Sequence, residues 1–218
     1  MLLNIVKNMT SNTGSKDQVV AYIGRHGTTA LNESDRYRGQ ADVPLDDQGK
    51  QDAKAQAKFM ADKPIGQAWT SNLSRSKDTA KAVLKGRGIK AIPLSSLRPL
   101  DAGKFTGEKK SEHKEDMKYY HEHTDARIPG GESIDGMNKR VRPVLLKGLR
   151  AGVRTGKPSY FSAHSSVIHS LGNLLHGDHE HALVEPGGVV AVTFDGKKFQ
   201  AKPVFKPKKE KQESAYAS

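Results

Sequence analysis

The sequence predicts an α/β fold, a three-layer sandwich in which helices flank a mostly parallel central sheet. Three observations carry that prediction. Short apolar runs alternate along the chain with longer stretches of helical period. Two of the helical stretches end at glycines, Gly86 and Gly177, where a left-handed cap closes a helix without steric cost. The 218 residues are enough for one domain with a sizeable core.

Residues 1–16 are polar, include the run TSNTGS, and are expected to form a flexible arm. QVVAYI, Gln18 to Ile23, is a continuous apolar run ended by Gly24 and fits a buried strand. LDDQGKQDAKAQAKFMADK then predicts a helix, with Asp46 as N-cap and Ala53, Ala57, Met60 and Ala61 on one face. QAWTS predicts a strand, SRSKDTAKAVLKG a helix closing at Gly86, and IKAIPL a further short strand. Gly103 to Gly131 is charged and aromatic with weak periodicity, which suits a covering loop or an irregular helix. A helix is expected from about Ser133 to Arg150, with Pro143 arguing for a late kink or an early stop. SYFSA predicts a strand, SSVIHSLGNLLHG a helix ending at Gly177, and GGVVAVTFDGKKFQAKPV a hairpin turning at DGKK. The expected domain spans residues 17–203, and residues 204–218 read as a basic disordered tail.

Composition narrows the classes. The chain carries a formal net charge of +12 and 35% hydrophobic residues, and no apolar run approaches the ~20 residues needed to span a bilayer. The opening MLLNIVKN has no basic segment before it and no small-residue cleavage site after it, so a cytoplasmic protein without a membrane partner is expected. There is no cysteine, which removes disulfides, thiolate nucleophiles and cysteine-type zinc sites. The positive charge admits a nucleic-acid surface, a pocket for a small phosphorylated substrate, or a lysine-rich solvated surface.

Placement of the polar residues favours the pocket. Ligands of parallel α/β sheets bind beyond the carboxyl ends of the strands. Arg25 and His26 follow one predicted strand directly, His164 follows another, and Arg75 lies in the first turn after QAWTSNL. If the first two strands are neighbours, these four residues share one rim. Guanidinium groups match phosphate oxygens bidentately, imidazole is a nucleophile or donor near neutrality, and the helix start near Ser165 adds backbone N–H groups. Such a cluster grips a phosphoryl group and presents a nitrogen to it without a metal.

The same residues carry a family resemblance. RHGTTALN resembles the R-H-G-x-T-x-x-N signature of the histidine phosphatase superfamily, the phosphoglycerate mutase-like group. RYRGQADVPLDDQGKQDA, TSNLSRSKDTA, LRPLDAGKFTG, GGES and FSAHSSVIHSL follow in the expected order, so the resemblance covers roughly Val20 to Val192. It implies a phosphoglycerate mutase-like sandwich in which His26 is the nucleophile and forms a phosphohistidine. Arg25, Arg75 and His164 would hold the phosphoryl oxygens. Thr28, Asn32, Arg36 and Arg38 are assigned to substrate binding, Arg38 being the better match of the two arginines. Many members have a glutamate where this chain has Pro99, so the general acid is assigned to Asp101, two residues on. The chain also has Ser165 where the family often has glycine.

The activity implied is hydrolysis of a phosphate monoester on a small phosphorylated substrate, with no cofactor. A phosphoglycerate mutase is the alternative within the family; strong mutases carry a longer insertion before GGES. A non-catalytic phospholigand-binding module of the same fold is the alternative outside enzymology, and the joint presence of Arg25, His26, Arg75 and His164 speaks against it. Glu132 in GGES is expected to be a polar residue at a helix start, and Gly27 and Gly39 to serve backbone conformation. The histidine clusters at His121 to His123 and His176 to His181 lack metal-ligand spacing on a helix, so no metal site is expected. The lysine-rich tail has few aromatics for base stacking, so nucleic acid is not expected as a partner.

Overall fold

A computed structural model of the protein describes residues 17–178 and 182–208. The arm expected over residues 1–16, most of the basic tail and His179 to His181 lie outside the described residues. Six strands form one sheet in the order β3-β2-β4-β1-β5-β6. Strands β1 (Gln18–Arg25), β2 (Gln67–Ser71), β3 (Ala91–Leu94) and β4 (Ser159–Ala163) run parallel, while β5 (Val189–Phe194) and β6 (Phe199–Phe205) add an antiparallel hairpin. The mostly parallel α/β sandwich is therefore observed.

Alternation along the strands builds the three layers. Ile23, Trp69, Phe161 and Val190 face one cluster, closed by Val141, Leu145 and Leu149 of α5 (Ile134–Thr155) and by Leu171 of α6 (Ser165–His176). Tyr22, Ala68, Tyr160 and Ala191 face the other, closed by Met60 of α2 (Asp47–Met60) and by Ala80 and Val83 of α3 (Ser74–Leu84). Burial on both faces is what a parallel sheet requires, and it explains why these strands read as apolar runs.

Several elements differ from expectation. β1 does not stop at Gly24 but pairs through Arg25 with Ala163, which carries the Arg25–His26 step to the sheet rim. Ala61 is exposed and caps α2 rather than sharing its buried face, while Asp46 accepts the Gly49 amide as the expected N-cap. α5 runs to Thr155, straight through Pro143. Pro143 and Lys139 both lie on the exposed side of the helix, so the carbonyl that Pro143 leaves unpaired is solvated, and the buried stripe from Val141 to Leu149 holds the helix together. β6 reaches Phe205, two residues past the expected domain boundary, because its last residues still pair with β5.

The segment between β3 and α5 holds three 3-10 turns, Ser95–Leu97, Gly103–Phe105 and Lys110–His113; the last two form a cap with helix α4 (Lys114–Glu122). A small core of its own, Ala102, Phe105, Met117 and Ile128, holds it together. The remaining helix, α1 (Ala30–Glu33), is a single turn after the β1 loop.

Candidate active site

Parallel pairing of β1 with β4 brings His26 and His164 to one rim, where their rings meet edge to face with centroids 5.0 Å apart. The His26 amide donates to the Ala163 carbonyl at 3.0 Å, so the two strand ends are tied at that point. His26 Nδ1 lies 2.6 Å from the Gly27 carbonyl. A carbonyl only accepts, so Nδ1 carries the proton and Nε2 is left with a free lone pair. His164 Nε2 pairs with the Ser76 hydroxyl at 3.3 Å, while its Nδ1 has no partner among the described residues.

The arginines surround this pair. Arg75, 1% exposed, donates to the Ala41 carbonyl at 2.7 Å and to Gly39 at 3.3 Å. Arg25 donates to Val184 at 2.8 Å. The Nε atoms of both are buried without a partner among the described residues. Arg38 donates to the Thr29 hydroxyl at 3.2 Å and closely to Asn32 Oδ1. Asn32 Oδ1 also accepts from the amide and hydroxyl of Thr29, so Asn32 holds Arg38 and caps α1.

Charge is crowded here. Burial, then the positive charges of Arg38 and Arg75, hold His26 well below the ordinary imidazole range. Burial and the neighbouring His26, Arg75 and Arg38 do the same for His164. Burial and the like charges of Arg75 and Arg25 push Arg38 down to about 9, and burial pushes Arg75 down to about 10 against the pull of Asp42. Both arginines remain charged at neutrality beside two neutral imidazoles. A buried cluster of cations with unmet donors is the complement of an oxyanion.

Other assigned residues fall as follows. Thr28 directs both its amide and its hydroxyl to Asp52 of α2, at 2.9 and 2.6 Å, so it fastens the loop to that helix. Arg36 donates to the Gly107 carbonyl at 2.7 Å, on the cap. Asp101 lies in the loop between Arg98 and Gly103, with Oδ1 accepting the Gly103 amide at 3.1 Å. Gly39 lies between this loop and Arg75: its carbonyl accepts from Arg75, and a Cβ on it would come within 3.0 Å of the Ala102 nitrogen. Its φ of 48° also requires glycine. Gly27 is needed for space, since a Cβ there would lie 2.2 Å from the Gly49 carbonyl.

Three supporting groups escaped the sequence. Arg140 of α5 donates to the carbonyls of Ser96, Arg98 and Pro99 at 3.0, 2.7 and 2.8 Å and pairs closely with Glu132, whose carboxylate accepts the Asp101 amide at 2.9 Å. Glu132 thus anchors the loop that carries Asp101 rather than being only a polar helix start. Gln56, fully buried, donates to Arg25, Gly187 and Gly188 carbonyls and accepts from Tyr160, locking the end of β1 against the loop before β5. Asp42 accepts the Ser74 amide and hydroxyl, both at 2.7 Å, and seats the helix that carries Arg75. No local pattern marks these residues; their partners lie up to 132 positions away. The histidines at 121 and 123 donate from Nδ1 to the carbonyls of Met117 and Tyr119, four residues back, as helix-end contacts.

The family model described as the histidine phosphatase superfamily (branch 1) matches residues 21–205. A 2,3-bisphosphoglycerate-dependent phosphoglycerate mutase from Rhizobium etli is 30% identical over 159 residues, which cover 68% of this chain and 76% of that protein. Another, from Gloeobacter violaceus, is 28% identical over 163 residues, covering 71% and 74%. Among solved structures, phosphoglycerate mutase from Bacillus anthracis superposes with a TM-score of 0.74 at 22% identity, covering 86% of this chain and 93% of that one. A mycobacterial glucosyl-3-phosphoglycerate phosphatase in complex with VO3 superposes at 0.71 and 21%, covering 84% and 96%. At those identities the two superpositions speak for the fold.

Proposed function

The chain belongs to the histidine phosphatase superfamily (branch 1), and from that premise we propose that it hydrolyses a phosphate monoester of a small molecule through a phosphohistidine on His26. The observation that carries the proposal is the His26 imidazole itself. It is buried, neutral and protonated on Nδ1, and its Nε2 lone pair is presented among Arg25, Arg38, Arg75 and His164. Nucleophilic catalysis at phosphorus asks for that state of the ring and that charge around it.

In the first half-reaction Nε2 forms a bond to phosphorus as the ester P–O bond breaks. The arginines and His164 stabilise the charge on the equatorial oxygens, and Asp101, protonated, gives its proton to the departing alkoxide. In the second half, Asp101 as carboxylate takes a proton from water, the hydroxide attacks phosphorus, and the P–N bond breaks to regenerate neutral His26. His26 is uncharged before and after each cycle, which a site already holding three guanidinium groups favours. The scheme calls on no metal or nucleotide.

A second reading, phosphoglycerate mutase, is favoured by the names of the curated relatives. The two differ in what accepts the phosphoryl group from His26. The test is turnover of p-nitrophenyl phosphate in the presence of chelator, with release of free phosphate and no bisphosphorylated primer. Activity that falls by at least about 10³-fold in His26→Ala supports the phosphohistidine route. Turnover surviving in that variant sinks it, and strict dependence on a primer would transfer the assignment to a mutase.

A further inference from the structure

Helix α3 meets the candidate site through three side chains. Arg75 stands among the cations, Thr79 accepts the Gly27 amide at 3.3 Å, and the Ser76 hydroxyl lies 3.3 Å from His164 Nε2. Ser76 is 0% exposed and His164 2%, so the pair is closed off from bulk water. A second bond ties the same two elements: the Ser162 hydroxyl of β4 donates to the Ser76 carbonyl at 2.9 Å. Among the described residues the Ser76 hydroxyl has no other partner, and His164 Nδ1 has none.

The number of protons decides which of the two groups donates. Burial and the surrounding positive charge keep His164 neutral at ordinary pH, so its ring carries one proton. With that proton on Nε2, the ring would donate to the serine oxygen. The serine proton would then lack an acceptor and the Nδ1 lone pair a donor, two unmet groups in a buried place. With the proton on Nδ1, the serine donates to the Nε2 lone pair and only the Nδ1–H is left over. A phosphoryl oxygen satisfies an unmet N–H, whereas it is repelled by a lone pair.

We propose that Ser76 is a positioning residue: its hydroxyl donates to His164 Nε2 and keeps the imidazole proton on Nδ1, from which His164 donates to a phosphoryl oxygen. The inference rests on the phosphohistidine reading above. It sets the two histidines in the same tautomer by opposite means. The Gly27 carbonyl accepts the Nδ1 proton of His26 and leaves its Nε2 lone pair for phosphorus. The Ser76 hydroxyl occupies the Nε2 lone pair of His164 and leaves its Nδ1 proton for oxygen.

The test reads the ring protons directly, in two-bond 1H–15N correlation spectra of the resting protein at neutral pH, with His164 assigned by its loss in His164→Asn. The unsubstituted protein is expected to carry the His164 proton on Nδ1 and a lone pair on Nε2. Ser76→Ala is expected to populate the Nε2–H form and to weaken calorimetric binding of inorganic phosphate by about tenfold. A serine that only fills space would leave the ring proton where it was. Ser76→Cys, a weaker donor in the same place, repeats the comparison should Ser76→Ala fold poorly. A His164 proton on Nε2 of the unsubstituted protein, or on both nitrogens, overturns the proposal. So does a tautomer or a phosphate affinity that is unchanged in the folded variant. The spectra need no turnover, so their failure is separate from failure of the phosphohistidine chemistry, which p-nitrophenyl phosphate reads.

Discussion

His26 is committed to one tautomer by a single backbone carbonyl, and to one charge state by its surroundings. Burial and the adjacent guanidinium groups depress its protonation below the ordinary imidazole value of about 6.5. The nucleophile is lost only when Nε2 takes up a proton, so the acid limb of kcat/KM is expected below pH 6.5. Removing a cation weakens the depression, and Arg38→Met is therefore expected to move that limb upward while lowering kcat/KM by about 10²-fold through loss of an oxyanion contact. A pH profile of the variant checks both. An unmoved limb would show that Arg38 exerts no field on the ring.

At the scale of elements, the loop that carries Asp101 has no secondary structure of its own between Arg98 and Gly103, yet the proposed mechanism asks it to present a carboxyl group accurately. Arg140, anchored on α5, holds three of the nearby carbonyls and the Glu132 carboxylate that receives the Asp101 amide. Arg140→Met releases all of these at once. Its expected signature depends on the leaving group: hydrolysis of an alkyl phosphate, which needs the proton, falls about tenfold or more, while p-nitrophenyl phosphate changes by about twofold or less. Equal losses on both substrates would mean a general structural role instead. The packing of the long helix α5 also explains why a glycine stands at 148. A Cβ at Gly148 would lie 2.2 Å from the ring of Phe161, so the helix packs against the sheet at a distance only glycine allows.

Across the whole molecule, the site is a store of unfavourable charge, which on the proposed function a phosphate relieves. Arg75 and two depressed histidines are buried at one rim beside the half-buried Arg25 and Arg38, and a ligand that binds only the folded state stabilises it by mass action. Inorganic phosphate or vanadate at about 100 times its Kd is expected to add about 2.7 kcal/mol and to raise Tm by several degrees, an effect absent with chloride at equal ionic strength. The histidines set the pH dependence as well. Their folded pKa values lie below the unfolded value near 6.5, so below that pH the unfolded chain binds protons that the folded chain refuses. This contribution to stability is complete above pH 6.5 and is lost as pH falls; thermal unfolding between pH 5 and 8 measures it.

The order of strands and helices, the closing glycines and the His26, His164, Arg25 and Arg75 constellation were legible because each rests on local pattern: apolar period, a cap, a residue placed just after a strand. Periodicity could not reveal that α5 passes through Pro143, since the outcome depends on which side of the helix the proline faces. Spacing could not reveal that Thr28 and Arg36 spend their hydrogen bonds on Asp52 and Gly107, or that Glu132, Arg140 and Gln56 position the loops that carry Asp101 and follow Arg25. The sequence by itself determined which chemical groups exist and at which strand ends they stand. Only the tertiary structure decided which of them converge, because hydrogen-bond partners 31 to 132 positions apart meet only after the sheet has brought its strand ends to one rim.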